Sequence, residues 1–150
     1  MSAGVLNRSS RPEPSSENAR QTMRANRATS VREVAFRKAV WRTGVRGYRV
    51  HPRLPGRPDM YFPRLRLAVF VHGCFWHRCR SCRLPEPKSN ADFWRAKFEA
   101  NAGRDQRVAK ELAQMGIETL TVWEHEVRPD PVPRAVALAA EIGTRRSGCF

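Results

Sequence analysis

Between Leu67 and Cys82 the chain reads LAVFVHGCFWHRCRSC, a stretch carrying three thiols, two imidazoles and a Phe-Trp pair. Cys74, Cys79 and Cys82 are soft ligands, spaced so that one loop can bring all three to a single metal ion. His72 and His77 can exchange protons near neutrality, and Phe75 with Trp76 offer flat faces that stack on nucleobases. Three thiolates leave a tetrahedral site one ligand short. His125, just beyond a later apolar run, is the candidate for the fourth place, with His77 as its rival; ligation would remove His77 from proton chemistry. A cluster of inert buried thiols does not explain why Arg78, Arg80 and Arg83 are interleaved with the cysteines.

The elements that must hold these groups follow from patterning. Leu67 to Val71 is a continuous apolar run between Arg66 and Gly73, as expected for a central strand buried on both faces. Tyr48–His51 and Met60–Phe62 are shorter extended segments, separated by a turn of Pro and Gly from Leu54 to Pro58. Ser30 and Glu33 form a capping-box pattern that opens a basic amphipathic helix from Val31 to about Thr43, before Gly44. Ser89 and Asp92 repeat that pattern ahead of Phe93, Ala96 and Ala100, and Asn101-Ala102-Gly103 predicts a break before Val108, Leu112 and Met115. Gly116 suits the end of that helix. Ile117 to Trp123 reads as a strand able to lie beside the Leu67 strand and carry His125 to the same sheet edge. A last helix, Val132 to Ile142, places Val132, Ala135, Val136 and Ala139 on one face. The order α-β-β-β-α-β-α predicts an α/β fold with a mixed sheet and no internal repeat.

With 150 residues and 41% hydrophobic content the chain can bury one core, so a single domain over residues 23–150 is expected. Residues 1–22 are rich in Ser, Pro, Asn and Arg without apolar periodicity, and read as a flexible basic arm. Lys plus Arg number 28 against 14 acids, a net charge of +14, which points to a polyanionic partner. A generic RNA-binding basic protein of the ribosomal kind shares that charge, but has no use for the thiol and histidine cluster. No apolar run approaches the roughly 20 residues of a membrane span, and clustered thiols suit a reducing compartment, so a soluble cytoplasmic protein is expected. Cys149 stands apart, next to the final residue, and is expected to do nothing.

Five blocks in order, GRPD at 56–59, FVHGCFWH at 70–77, DFW at 92–94, NAGRD at 101–105 and TVWE at 121–124, resemble the very short patch repair endonucleases. The resemblance covers about Met23 to Val127. It implies a restriction-endonuclease-like mixed sheet flanked by helices, a structural Zn²⁺, and nicking of double-stranded DNA beside a T:G mismatch left by deamination of 5-methylcytosine. The implied catalytic Mg²⁺ needs hard oxygen ligands, which Asp59 supplies at a strand edge after the rigid Pro58. By the same resemblance His72 is the general base or positions the attacking water, His77 contacts the phosphate or assists the leaving group, and Asp105 orients a catalytic imidazole. Phe75, Trp76 and Trp94 would wedge into the base stack, with Met23 entering from the opposite groove and ordering on DNA. Glu33 matches a family acid near the metal, although its capping-box position explains it equally.

Two departures bear on the metal. Many restriction-type nucleases carry an acid-x-Lys pair on the second strand, absent here as in the resembling family. Where that family can have a Thr, this chain has Val71, which offers Mg²⁺ a backbone carbonyl but no side-chain oxygen. The resemblance further implies a monomer beside the bacterial nucleoid, with repair proteins as further partners. A zinc-stabilised DNA-binding module of the same descent that does not cut is the alternative.

Overall fold

The computed structural model describes residues 31–148; the basic arm, Met23, Ser30 and Cys149 lie outside the described residues. Residues 31–42 are helical and are called α1. There follow β1 (Arg49–Val50), β2 (Met60–Phe62), β3 (Leu67–His72), α2 (Ala91–Gln114), β4 (Glu118–Trp123), a short 3-10 turn (Glu124–Glu126) and α3 (Val132–Ser147). The expected element order is therefore the observed one, a mixed α/β arrangement.

The strands form one sheet in the order β1-β2-β3-β4. β2 runs antiparallel to both β1 and β3, whereas β4 runs parallel to β3 with Val71 opposite Val122 and His72 opposite Trp123. The parallel pair requires a crossover, and α2 supplies it. Because side chains alternate along a strand, β3 serves two cores. Leu67 and Val69 pack with Phe36 and Val40 of α1 and Ala135, Leu138 and Ile142 of α3. Ala68 and Phe70 point the other way, onto Leu112 and Val108 of α2. His72, two residues beyond Phe70, therefore emerges on the α2 side, while Val71 packs against the α1 and α3 core.

Three local expectations fail for identifiable reasons. The Ser89–Asp92 capping box does not form: Asn90 is the N-cap, in a left-handed conformation (φ 54°), and no side chain caps the helix. A capping box needs its cap residue extended, whereas Asn tolerates the left-handed turn by which the cysteine loop enters α2. The break at Asn101-Ala102-Gly103 is absent, and α2 runs through it unbroken. The cost of Gly103, about 1 kcal/mol, is small beside the packing and hydrogen bonds that this stretch of helix makes. On α3 the buried residues are Ala135, Leu138 and Ile142, leaving Val132 and Val136 exposed. The apolar face is thus turned by about one position from the one the valines suggested.

Candidate active site and metal centre

The turn before β2 sets the first carboxylate. Gly56 adopts a positive φ (+73°), and a Cβ there would lie 2.6 Å from Val108 of α2, so the turn can close onto the helix only as glycine. Pro58 behind it is buried. The turn delivers Asp59 to the edge of β3, where its Oδ2 accepts a hydrogen bond from the Val71 N–H at 2.5 Å. Burial raises the Asp59 carboxyl to about 6; the Val71 hydrogen bond lowers it and the neighbouring Glu33 raises it further. Glu33 comes from α1, and His51 from just after β1. The His51 Nε2 lies 2.8 Å from Glu33 Oε1 and 3.5 Å from Asp59 Oδ1. Glu33 also pairs with Arg37 one helical turn on. The two carboxylates bring the oxygen donors that a hard divalent ion takes.

One peptide further along β3 a second group begins. The His72 and His77 rings stack at 3.8 Å between centroids, tilted by only 8°. His77 Nδ1 is 2.5 Å from Asp105 Oδ2, which reaches across from α2. Burial holds the His72 imidazole down at about 4, helped by His77 and opposed by Asp105, so His72 is neutral at physiological pH and has a lone pair to accept a proton. Asp105 fixes the His77 ring through Nδ1, which turns Nε2 outward.

The thiols form a third group. Cys74 follows β3, Cys79 and Cys82 follow in the same loop, and His125 sits in the turn after β4. Its Nδ1 lies 3.3 Å from Cys74 Sγ, 3.6 Å from Cys79 Sγ and 3.3 Å from Cys82 Sγ. Ligands at ordinary bond lengths around a tetrahedral ion stand about 3.6 Å apart, so the imidazole stands at such a spacing from each thiol, and all four atoms lie within 4.8 Å of one another. Burial, with the other two thiols adding to it, pushes the Cys74 thiol up to about 12. For Cys79 burial works the same way but is outweighed by backbone hydrogen bonds from Cys82 and Ser81, so that thiol is held below its ordinary value. The set can hold a metal ion, and His125 rather than His77 is the imidazole beside the thiols.

The loop between Cys74 and His77 carries the aromatics. Half-buried Phe75, Trp76 and Trp94 form a continuous cluster with buried Phe98, with centroids 5.3 Å apart for Phe75–Trp76 and 5.5 Å for Trp76–Trp94. Cations cover it: the Lys97 ammonium lies 4.8 Å from the Trp76 ring and the Arg78 guanidinium 4.6 Å from Phe98. The cluster is anchored by Asn101, the buried polar residue of α2, whose Nδ2 donates to the Trp76 carbonyl at 3.1 Å. Asn101 and Asp105 lie one helical turn apart on α2, so a single face of the helix holds both Trp76 and His77. Two contributors escaped the sequence reading. Asn101 is marked only by belonging to NAGRD, and His51 only by ending an expected strand.

The described residues contain no helix long and apolar enough to cross a membrane. Residues 14–84 match the family described as DNA mismatch endonuclease Vsr. The chain is 44% identical over 116 residues to the type II nicking enzyme V.XorIIP of Xanthomonas oryzae, an alignment covering 75% of this chain and 84% of the relative. It is 34% identical over 131 residues to the type II nicking enzyme V.NaeI of Lentzea aerocolonigenes, covering 83% and 78%. It is 39% identical over 75 residues to the DNA mismatch endonuclease Vsr of Escherichia coli, covering 50% and 48%. The strand-end carboxylate, the stacked histidines and the thiol cluster thus belong to a DNA endonuclease, a phosphodiester hydrolase, and the chain is a member of the Vsr DNA mismatch endonuclease family.

Proposed function

We propose that this endonuclease cuts one strand of duplex DNA beside a T:G mismatch, with Mg²⁺ at Asp59 and Zn²⁺ at Cys74, Cys79, Cys82 and His125. The observation that carries the reading is the hydrogen bond from Val71 to Asp59, which sets the carboxylate one peptide from His72, whose ring stacks on a His77 held by Asp105. Bound there, Mg²⁺ supplies Lewis acidity to the scissile phosphate and compensates its charge. Asp59 would hold it with a carboxylate oxygen, and the Val71 carbonyl is the further oxygen that β3 could offer. His72, kept neutral at physiological pH by its lowered pKa of about 4, takes the proton from the attacking water. As the new phosphorus–oxygen bond forms and the sugar oxygen leaves, that oxygen takes a proton from His77 Nε2–H or from solvent, with Asp105 holding the ring.

The parallel pair β3 and β4, with α2 crossing between them, is what a restriction-endonuclease-like core would use to gather these groups at one strand end. Zn²⁺ suits the three-thiol, one-imidazole set and ties the loop carrying Phe75 and Trp76 to the turn after β4. The aromatics, with Trp94, would wedge into a base stack, and a wobble pair is easier to open than a matched one. Met23 would add to this from the arm.

The deciding experiment is a nicking assay on T:G and matched duplexes, with Mg²⁺ present or chelated. Mg²⁺-dependent cutting of one strand at T:G is expected, lost in Asp59→Ala while DNA binding is largely retained. Intact T:G duplex under saturating enzyme and Mg²⁺, or equal cutting of matched DNA, overturns the reading. Mismatch-selective binding with no cut would identify a non-cleaving module instead.

A further inference from the structure

His51 is the one imidazole of the described residues that neither the stacked pair nor the thiol cluster uses. It arrives from a third direction, after the edge strand β1, and its Nε2 sits against both carboxylates that surround the proposed Mg²⁺ position. One donor atom from each of Glu33, His51 and Asp59 lies within 4.8 Å of the others. Neighbouring ligands on an octahedral ion with bonds of about 2.1 Å stand about 3 Å apart. The separations from His51 Nε2, 2.8 Å to Glu33 and 3.5 Å to Asp59, bracket that value. The backbone at His51 is left-handed, φ 46°, a conformation uncommon for a residue with a Cβ but more often met in His than in most. The side chain remains 40% exposed, so the far side of the group is open to a phosphate.

We propose that His51 is a nitrogen ligand of the catalytic metal, making the site a mixed imidazole and carboxylate set that favours Mn²⁺ over Mg²⁺ relative to an all-oxygen site. The proposal rests on the reading of Asp59 as a ligand of that metal. Its chemical basis is that Mg²⁺ prefers oxygen donors and gains little from an imidazole, whereas the later first-row ions accept nitrogen readily. His51 is thereby a specificity-determining residue for the ion, supplied by an edge strand rather than by the motif that carries Asp59.

The test uses the zinc-loaded full chain with a T:G duplex, comparing wild type, His51→Asn and Asp59→Asn. Asn tolerates the left-handed backbone at position 51, and His51→Gly provides the same comparison should the carboxamide disturb folding. Mn²⁺ affinity is measured by electron paramagnetic resonance, Mg²⁺ affinity by competition, and nitrogen coordination by spin-echo modulation. Wild type is expected to show modulation from a directly bound imidazole nitrogen that disappears in His51→Asn. Mn²⁺ affinity should fall about tenfold in that variant while Mg²⁺ affinity changes by less than about threefold. The preference for Mn²⁺ in nicking rate should fall with it. Nitrogen modulation surviving in His51→Asn, or equal losses for the two ions, overturns the proposal. Loss of the site in Asp59→Asn together with unchanged binding in His51→Asn overturns this inference alone, whereas an intact Mn²⁺ site in Asp59→Asn overturns the Asp59 reading with it.

Discussion

The thiol cluster and the carboxylate–histidine groups leave the same end of the sheet, yet they are built on opposite terms. Cys74, Cys79, Cys82 and His125 are four donors on two short connections, with Cys74 and Cys79 buried and all four atoms already at ligand spacing. The groups around Asp59 and His72 draw on five separate parts of the fold, α1, the end of β1, the turn before β2, β3 with its following loop, and α2, and their members are half-buried or exposed. A closed tetrahedral set leaves no position for substrate, while a divided, partly open one does. On the proposed function, the difference separates a site that holds a loop in place from one that meets DNA. It also explains why the histidines diverge in role: His125 faces sulfur, whereas His77 faces a carboxylate.

The sharpest way to break that contrast is to remove one donor from each side. Asp59→Ala should lower nicking by about 10³-fold or more, since on the proposed function it removes the main charged anchor for the ion that stabilises the reacting phosphate. Its stability and zinc content should remain those of wild type. Cys79→Ser, or chelation of zinc, should do the reverse and act first on the fold. A loss of about 3 kcal/mol, roughly 10 °C in Tm for a chain of this size, is expected in thermal unfolding, with metal analysis falling from one zinc per chain. Nicking would be lost with the loop. Normal melting and full cutting after zinc removal would show the two regions to be independent, contrary to the shared strand end.

A smaller effect tests the carboxylate side by itself. Asp105→Asn keeps the shape but weakens the hold on His77, and a supporting partner of this kind is worth about 10- to 100-fold. A merely structural Asp105 would lower stability; a positioning one lowers kcat with Tm unchanged. The pH profile separates it further. To hold the proposed Mg²⁺, Asp59 must be ionised, and its pKa is raised to about 6, so its charge is lost as pH falls through that value. At limiting Mg²⁺ the wild-type rate should therefore drop about tenfold from pH 7 to pH 5, and added Mg²⁺ should restore it. His72 is neutral at every pH above about 4 and does not set this limb. Asp105→Asn should lower the rate across the whole range and leave the limb near 6 in place.

How much of this was legible depended on distance along the chain. The thiol loop, the strand through Leu67–Val71 and the Gly-Pro turn before Asp59 are local patterns, and local chemistry fixes them. β4 could be read as lying beside β3, which is how His125 was matched to cysteines more than forty residues away; the parallel sense of the pair is what the α2 crossover allows. Contacts that depend on which way a side chain faces were harder. Glu33 fits a capping pattern as well as a metal-site acid, and only the approach of His51, 18 residues on, distinguishes its surroundings. Asn101 looked like a helix breaker because Asn and Gly weaken isolated helices; in the fold its amide holds Trp76, which outweighs that propensity. Exposed Val132 and Val136 show the same limit on α3, where β-branched side chains suggested a core that Leu138 and Ile142 occupy.

The least dramatic substitution falls between the two regions. Trp76 lies two residues after Cys74 and immediately before His77, so it is strung from the thiol cluster to the stacked histidine pair, with its carbonyl held by Asn101. If the thiol side only steadies the loop and the carboxylate side only cuts, Trp76 is where recognition is passed between them. Stacking of one base on an aromatic ring contributes about 1–3 kcal/mol, and part of it is retained when Phe75 and Trp94 remain. Trp76→Ala should therefore reduce the ratio of T:G to matched nicking by about tenfold, mainly through weaker binding of mismatched DNA, with zinc content and Tm unchanged. Equal losses on both duplexes would make Trp76 a general DNA contact, and a fall in Tm without a change in the ratio would make it part of the loop's own packing. A selective loss would show that the loop's rigidity is spent on finding the mismatch, because Asn101 holds the Trp76 backbone in a loop fixed between Cys74 and His77.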